Sequence, residues 1–176
     1  AELPALHGCC RELGLYLSLD GARRGSAVTA PANDIAPEDL PKLCDAFYIG
    51  GTKNGALFGE ALVIVNDALK PDFRYGLKQH GGMLAKGRLL GVQFGTLFTD
   101  NLWFNAARHA NTLAARLQDG IVQKGYKLLV PSPSNQIFPI FPNELVEKLS
   151  ETFAFEVQSE ENGFTCIRLV TSWATK

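Results

Sequence analysis

The chain has 176 residues, 46% hydrophobic and 20% charged, which is ordinary globular composition. Lysine and arginine number 17 against 18 acidic residues, a net charge of -1, so nothing suggests a nucleic-acid surface or an acidic tail. The longest apolar runs are far shorter than a membrane span.

Residues 5–14 read as the end of an amphipathic helix stopped by Gly14. The chain lacks an initiator Met and opens in mid-helix, so a C-terminal fragment of a longer protein is expected, and no signal peptide would be visible in it. A buried strand is predicted over Leu15–Leu19, ending at Asp20-Gly21-Ala22-Arg23. A polar, Pro-containing loop follows from Gly21 to Asp34. A short helix is predicted over Pro37–Cys44 and a second strand over Ala46–Ile49, which ends at Gly50-Gly51-Thr52-Lys53-Asn54-Gly55. A third apolar run covers Ala61–Val65. Strands separated by helices argue for an α/β fold with a largely parallel sheet. The Asp20 and Lys53 turns follow their strands, so they belong at the carboxyl end of the sheet, where open α/β folds bind ligands.

The middle of the chain reads as helical. Leu84–Phe98 carries apolar residues at helical spacing, and Asp100 is a candidate N-cap for a helix reaching about Gln123, with Gly125 beyond its end. The alanines between 106 and 115 make that helix narrow enough for close packing. From Tyr126 the pattern changes to short strands, Lys127–Val130, Gln136–Ile140, Phe153–Val157 and Thr165–Val170, with one helix at Asn143–Thr152. This is a small α+β arrangement, and the boundary is expected near residue 120.

Four cysteines, Cys9, Cys10, Cys44 and Cys166, form no CxxC pair. They are read as free thiols in a reducing compartment, with no metal site. The GGTKNG run is not a phosphate-binding Walker loop, and no GxGxxG follows a strand.

In order and spacing, several segments resemble the threonine aldolase and β-eliminating lyase family of fold-type-I pyridoxal phosphate enzymes. They are Leu19-Asp20-Gly21-Ala22-Arg23, the run from Asp45 to Gly55, Phe58 to Val63, Lys78 to Gly87, and Ile167 to Thr171. The resemblance implies the C-terminal half of such an enzyme. Residues 1–120 would be the C-terminal part of the cofactor-binding large domain, and 121–176 a small α+β subdomain. Lys53 would form the imine with pyridoxal 5'-phosphate. Asp20 would keep the pyridine nitrogen protonated, so that the ring acts as an electron sink. Taken alone, Lys53 also reads as an exposed lysine beside an Asn-Gly turn, and Asp20 as a helix N-cap or turn residue before Gly21.

Arg23 and Arg168 would bind the substrate carboxylate with their planar forks; a surface salt bridge is the plain alternative for each. Thr52 is a candidate donor to the phosphate. Gly51 would line the cofactor, or the glycines only let the backbone turn close to the ring. Lys86 and Arg88 are lesser phosphate candidates, and His80 a lesser site candidate. Arg24 is read as solvated or structural, and His7 and His109 as surface or packing residues.

The implied activity is cleavage of threonine to glycine and acetaldehyde. The alternatives are β-elimination on the same scaffold, or a non-catalytic fragment that assembles with a partner chain. The resemblance further implies a cytoplasmic homodimer or homotetramer with sites at subunit interfaces, acting on a small amino acid, with no nucleic acid and no membrane.

Overall fold

The structure is a computed structural model and describes residues 2–176. It divides into two compact units, one of residues up to Val28 with Asn33–Phe104, the other of Thr29–Ala32 with Asn105–Lys176. The division falls at Phe104 rather than near residue 120, because most of the long helix packs into the core of the second unit.

In the first unit, α1 spans Glu2–Glu12 and ends where Gly14 takes φ +67°. Strand β1 covers only Ser18–Leu19, shorter than the predicted Leu15–Leu19. The reason lies in Leu17, whose N–H donates to the Asp45 carboxylate at 2.7 Å instead of to a neighbouring strand. Helix α2, Arg24–Val28, occupies part of the expected loop. A 3-10 turn at Pro37–Asp39 leads into α3, Leu40–Leu43, then strands β2, Ala46–Gly50, and β3, Glu60–Ile64. β1 and β2 are parallel, with Ser18 opposite Ala46 and Leu19 opposite Phe47. β3 runs back antiparallel, with Gly50 opposite Glu60. Residues 51–59 are too few for a parallel return, which takes about a dozen or more. The predicted α/β class holds; in this three-stranded sheet one pair is parallel and one antiparallel.

The core of this unit is Leu40, Cys44 and Phe47, packed against Leu17, Leu19, Ile35 and Val63. Arg24 is buried, 7% exposed, with its guanidinium 4.5 Å from the centre of the Phe47 ring, so its role is structural rather than solvated. Helix α4, Phe73–Gln79, was not expected from the sequence. Helix α5 covers Arg88–Phe98 and α6 runs Leu102–Gln123. Asp100 does not cap α6. It and Asn101 sit in the left-handed region, at φ 50° and 58°, where the chain kinks between the two helices.

The second unit holds β4 (Lys127–Leu128), β5 (Gln136–Ile137), β6 (Pro139–Pro142), α7 (Asn143–Ser150), β7 (Glu156–Glu161) and β8 (Phe164–Val170). They form an antiparallel sheet in the order β4-β6-β8-β5, with β7 paired to β8. Its core is Ala114 and Ile121 from α6 against Ile137, Phe141 and Ile167. The alanine stripe does what its size permits: Ala107, Ala110 and Ala114 are at most 4% exposed. Thr171 rivets the helix by donating its hydroxyl to the Ala110 carbonyl at 2.7 Å. No helix among the described residues is long and apolar enough to cross a membrane.

Asp45 joins the parts of the first unit. Its side chain, 3% exposed, accepts from Leu17 N–H at 2.7 Å, Asn66 Nδ2 at 2.7 Å and Arg11 Nη2 at 3.3 Å. These bonds, the one from Leu17 foremost, hold its carboxyl below the usual value. Replacing it leaves buried donors unpaired, so Asp45→Ala is expected to cost about 3 kcal/mol in urea unfolding. Because the folded value is the lower one, this stabilisation is fully present above about pH 4 and lost as pH falls through the folded value. The acid limb of the stability profile should therefore flatten in Asp45→Asn, and an unchanged limb would refute this assignment.

Candidate active site

The parallel pairing of β1 and β2 puts the residues that follow each strand at one edge of the sheet. Asp20 follows β1 directly, and Gly51, Thr52 and Lys53 follow β2. Two glycines bring the loops into contact. The Gly50 N–H donates to the Gly21 carbonyl at 2.9 Å. A Cβ on Gly21 would lie 1.5 Å from the Tyr48 carbonyl oxygen, and one on Gly50 would lie 2.3 Å from that of Ala22. No side chain fits at either place.

Asp20 is exposed, yet its carboxylate is anchored. Oδ1 accepts from the Tyr48 hydroxyl and from Ala22 N–H at 3.0 Å, while Oδ2 accepts from no described residue. The Tyr48 bond, then the Ala22 bond, then the charge of Lys53 hold the carboxyl below its ordinary value. The same Tyr48–Asp20 bond pushes the Tyr48 phenol up. Asp20 is thus an ionised acceptor with one oxygen unspent, beside an exposed lysine whose charge it feels. This donor and acceptor set fits a pyridoxal group, which needs an amine for its aldehyde and a carboxylate for its ring nitrogen.

The Lys53 turn is fixed on both sides. Before it, Glu60 accepts from Gly51 N–H at 2.6 Å through Oε2 and from the Thr52 hydroxyl at 2.8 Å through Oε1. After it, Asn54 Nδ2 donates to the Trp103 carbonyl at 2.8 Å, and Trp103 Nε1 donates back to the Gly50 carbonyl at 3.0 Å. The Thr52 hydroxyl is thus engaged as a donor to Glu60. Gly51 is buried, and a Cβ there would meet the Gly59 carbonyl oxygen at 2.8 Å, so its role in the turn is steric as well.

Arg23 lies in the turn after Asp20, and its carbonyl accepts from Ala27 N–H at 3.1 Å in α2. Arg168 lies in the second unit, on β8 opposite Glu156 of β7, and Nη2 pairs with Glu156 Oε2 at 2.8 Å. Its Nε is buried without a hydrogen-bond partner. Lys86 and Arg88 are exposed, Lys86 just ahead of α5 and Arg88 as its first residue. The histidines bind backbone carbonyls: His7 that of Leu43 at 2.7 Å, His80 that of Gly76 at 2.9 Å, and His109 that of Thr175 at 2.8 Å.

Sequence reasoning missed Tyr48 and Glu60. Strand alternation alone puts Tyr48 and Gly50 on one face, and the register then adds Glu60, which lies directly opposite Gly50. Only the register was lacking. Tyr48→Phe should raise the Asp20 carboxyl toward its ordinary value, followed by carbon-13 carboxyl titration of the cofactor-free protein. An unmoved Asp20 titration would show that the phenol is not its anchor.

No family model matches the chain. A low specificity L-threonine aldolase of Pseudomonas aeruginosa is 33% identical to it over 176 residues, which is 99% of this chain and 50% of that protein. The solved structure of Leishmania major threonine aldolase matches with a TM-score of 0.96 at 48% identity, over 99% of this chain and 52% of that one. A structure from Exiguobacterium sp. 255-15, named for aromatic amino acid beta-eliminating lyase and threonine aldolase, matches at TM-score 0.74 and 19% identity, over 97% of this chain and 50% of that one. This last likeness shows the fold alone. By sequence and by fold, the chain is a relative of the threonine aldolases and spans about half the length of those it matches.

Proposed function

We propose that the chain carries the lysine and carboxylate half of a pyridoxal-phosphate-dependent aldolase site that cleaves threonine to glycine and acetaldehyde. The observation that carries this reading is the pairing of an ionised, half-spent Asp20 carboxylate with the exposed Lys53 at the ends of two parallel strands. The names of the relatives, low specificity L-threonine aldolase and threonine aldolase, supply the substrate.

Lys53 and Asp20 would hold the cofactor. Pyridoxal phosphate, when bound, supplies an electron sink for the pair released as the Cα–Cβ bond breaks. Asp20 would keep a proton on the ring nitrogen, its carboxylate anchored through Oδ1 by Tyr48 and Ala22. The amine of Lys53 would return a proton to Cα. Arg23 and Arg168 are the proposed ligands of the substrate carboxylate. Glu156 holds Nη2 of Arg168 and so fixes the plane of its fork. The reading includes a homodimer or homotetramer with sites between subunits. It also includes a reducing, cytoplasmic setting, which four free cysteines support.

Borohydride reduction of the protein with pyridoxal phosphate, followed by peptide mapping, tests the assignment. A pyridoxyl adduct is expected on Lys53 and is expected to vanish in Lys53→Ala, together with all cleavage of threonine. Release of pyruvate from an amino acid with a β leaving group, with no glycine from threonine, would replace aldol cleavage by elimination. A protein that takes no label at Lys53 would overturn the enzyme reading. Arg168→Lys, which keeps the charge and loses the fork, should raise KM for threonine about tenfold with kcat less affected.

A further inference from the structure

We infer that Glu60 is a positioning residue for Lys53, holding the turn from which the amine is delivered. The inference rests on the function proposed above and adds to it a side chain in the strand after the lysine.

Glu60 opens β3 and stands directly across the ladder from Gly50, the last residue of β2. A side chain at that register position faces the point where the chain leaves β2 to make the lysine turn. Its two carboxylate oxygens divide the work: Oε2 takes the Gly51 N–H at 2.6 Å and Oε1 takes the Thr52 hydroxyl at 2.8 Å. Both are bonds to an ionised acceptor, the stronger kind. The turn is then closed internally, since Asn54 N–H and Ala56 N–H both donate to the Gly51 carbonyl at 2.9 Å. Beyond it, Asn54 is tied to Trp103. The result is a lysine with an exposed side chain on a backbone anchored one residue before it and one residue after.

An exposed Lys side chain has many rotamers, so where its amine can reach depends chiefly on where its backbone is held. Glu60 supplies that hold from one side, and Trp103 from the other. The arrangement also explains why a threonine precedes the lysine: its hydroxyl is the second donor that the Glu60 carboxylate needs to be oriented rather than merely placed. The Glu60 charge has a second effect, since it helps push up the Tyr48 phenol, which keeps that hydroxyl a donor toward Asp20. Glu60 thereby acts on the lysine turn by contact and on Tyr48 by charge alone.

The test compares wild type, Glu60→Gln and Glu60→Ala in the cofactor-free protein. Three quantities are read: amide hydrogen exchange at Gly51, the rate of pyridoxal phosphate attachment to Lys53 trapped by borohydride, and Tm. In Glu60→Ala, exchange at Gly51 should rise and attachment at Lys53 should slow, each about tenfold or more. Glu60→Gln retains one acceptor and should recover part of both at a Tm close to wild type. Should the alanine variant fail to fold, the isosteric glutamine variant carries the same comparison. Unchanged exchange at Gly51 would overturn the clamp, and faster exchange with unchanged attachment would overturn positioning. A wild-type protein that takes no label would overturn the proposed activity and the positioning role together. A labelled wild type with an equally labelled Glu60→Ala overturns the positioning role alone.

Discussion

A single buried carboxylate sets the frame of the first unit. Asp45 stands at the entry to β2 and collects hydrogen bonds from the segment before β1, from Asn66 after β3 and from Arg11 at the end of α1. Its backbone takes part as well, donating to the Leu17 carbonyl and accepting from Val65 and Asn66. A buried acceptor is costly unless its donors are in place, so these segments are held to one alignment. That alignment is the parallel register of β1 and β2. The register in turn decides that the Asp20 and Lys53 turns leave the sheet at the same edge. The chemistry proposed for the site therefore depends on a residue that takes no part in it.

The site itself is assembled from three kinds of constraint. Steric exclusion at Gly21 and Gly50 lets the loops meet. Hydrogen bonds to Asp20 Oδ1 fix one oxygen of a carboxylate and leave the other. The Glu60 and Trp103 contacts fix a backbone and leave the Lys53 side chain exposed. In the last two cases the protein fixes what places a group and leaves exposed the group proposed to react. The two proposed substrate ligands divide differently, because Arg23 lies in the turn after Asp20 while Arg168 is held by Glu156 in the second unit.

Much of this could be read from the chain, and the failures have identifiable causes. Asp20 and Lys53 are visible because each ends an apolar run at a glycine turn, a pattern that depends on neighbours in sequence. β2, β3 and α7 are visible for the same reason. α2 and α4 are not, since Arg-Gly-Ser-Ala-Val and Phe-Arg-Tyr-Gly-Leu carry glycines that count against a helix, and tertiary contacts such as Arg24 on Phe47 override that preference. Asp100 has the composition of an N-cap, but it lies in a kink where two consecutive residues turn left-handed. Tyr48 and Glu60 depend on cross-strand register, which no single stretch of sequence contains. The third strand returns antiparallel for a reason that was countable, the shortness of residues 51–59.

The close approach of Gly21 to the end of β2 has a consequence for how this region tolerates change. The two chains approach so closely that any substitution there must push the backbones apart, whatever its polarity or charge. Inactive variants of the region will then fall into two populations. Those at Asp20 or Lys53 alter exposed side chains and should leave thermal stability largely intact. Those at Gly21 and Gly50 should lose stability and activity together, and their intolerance would reflect interatomic distance rather than any contact with the cofactor.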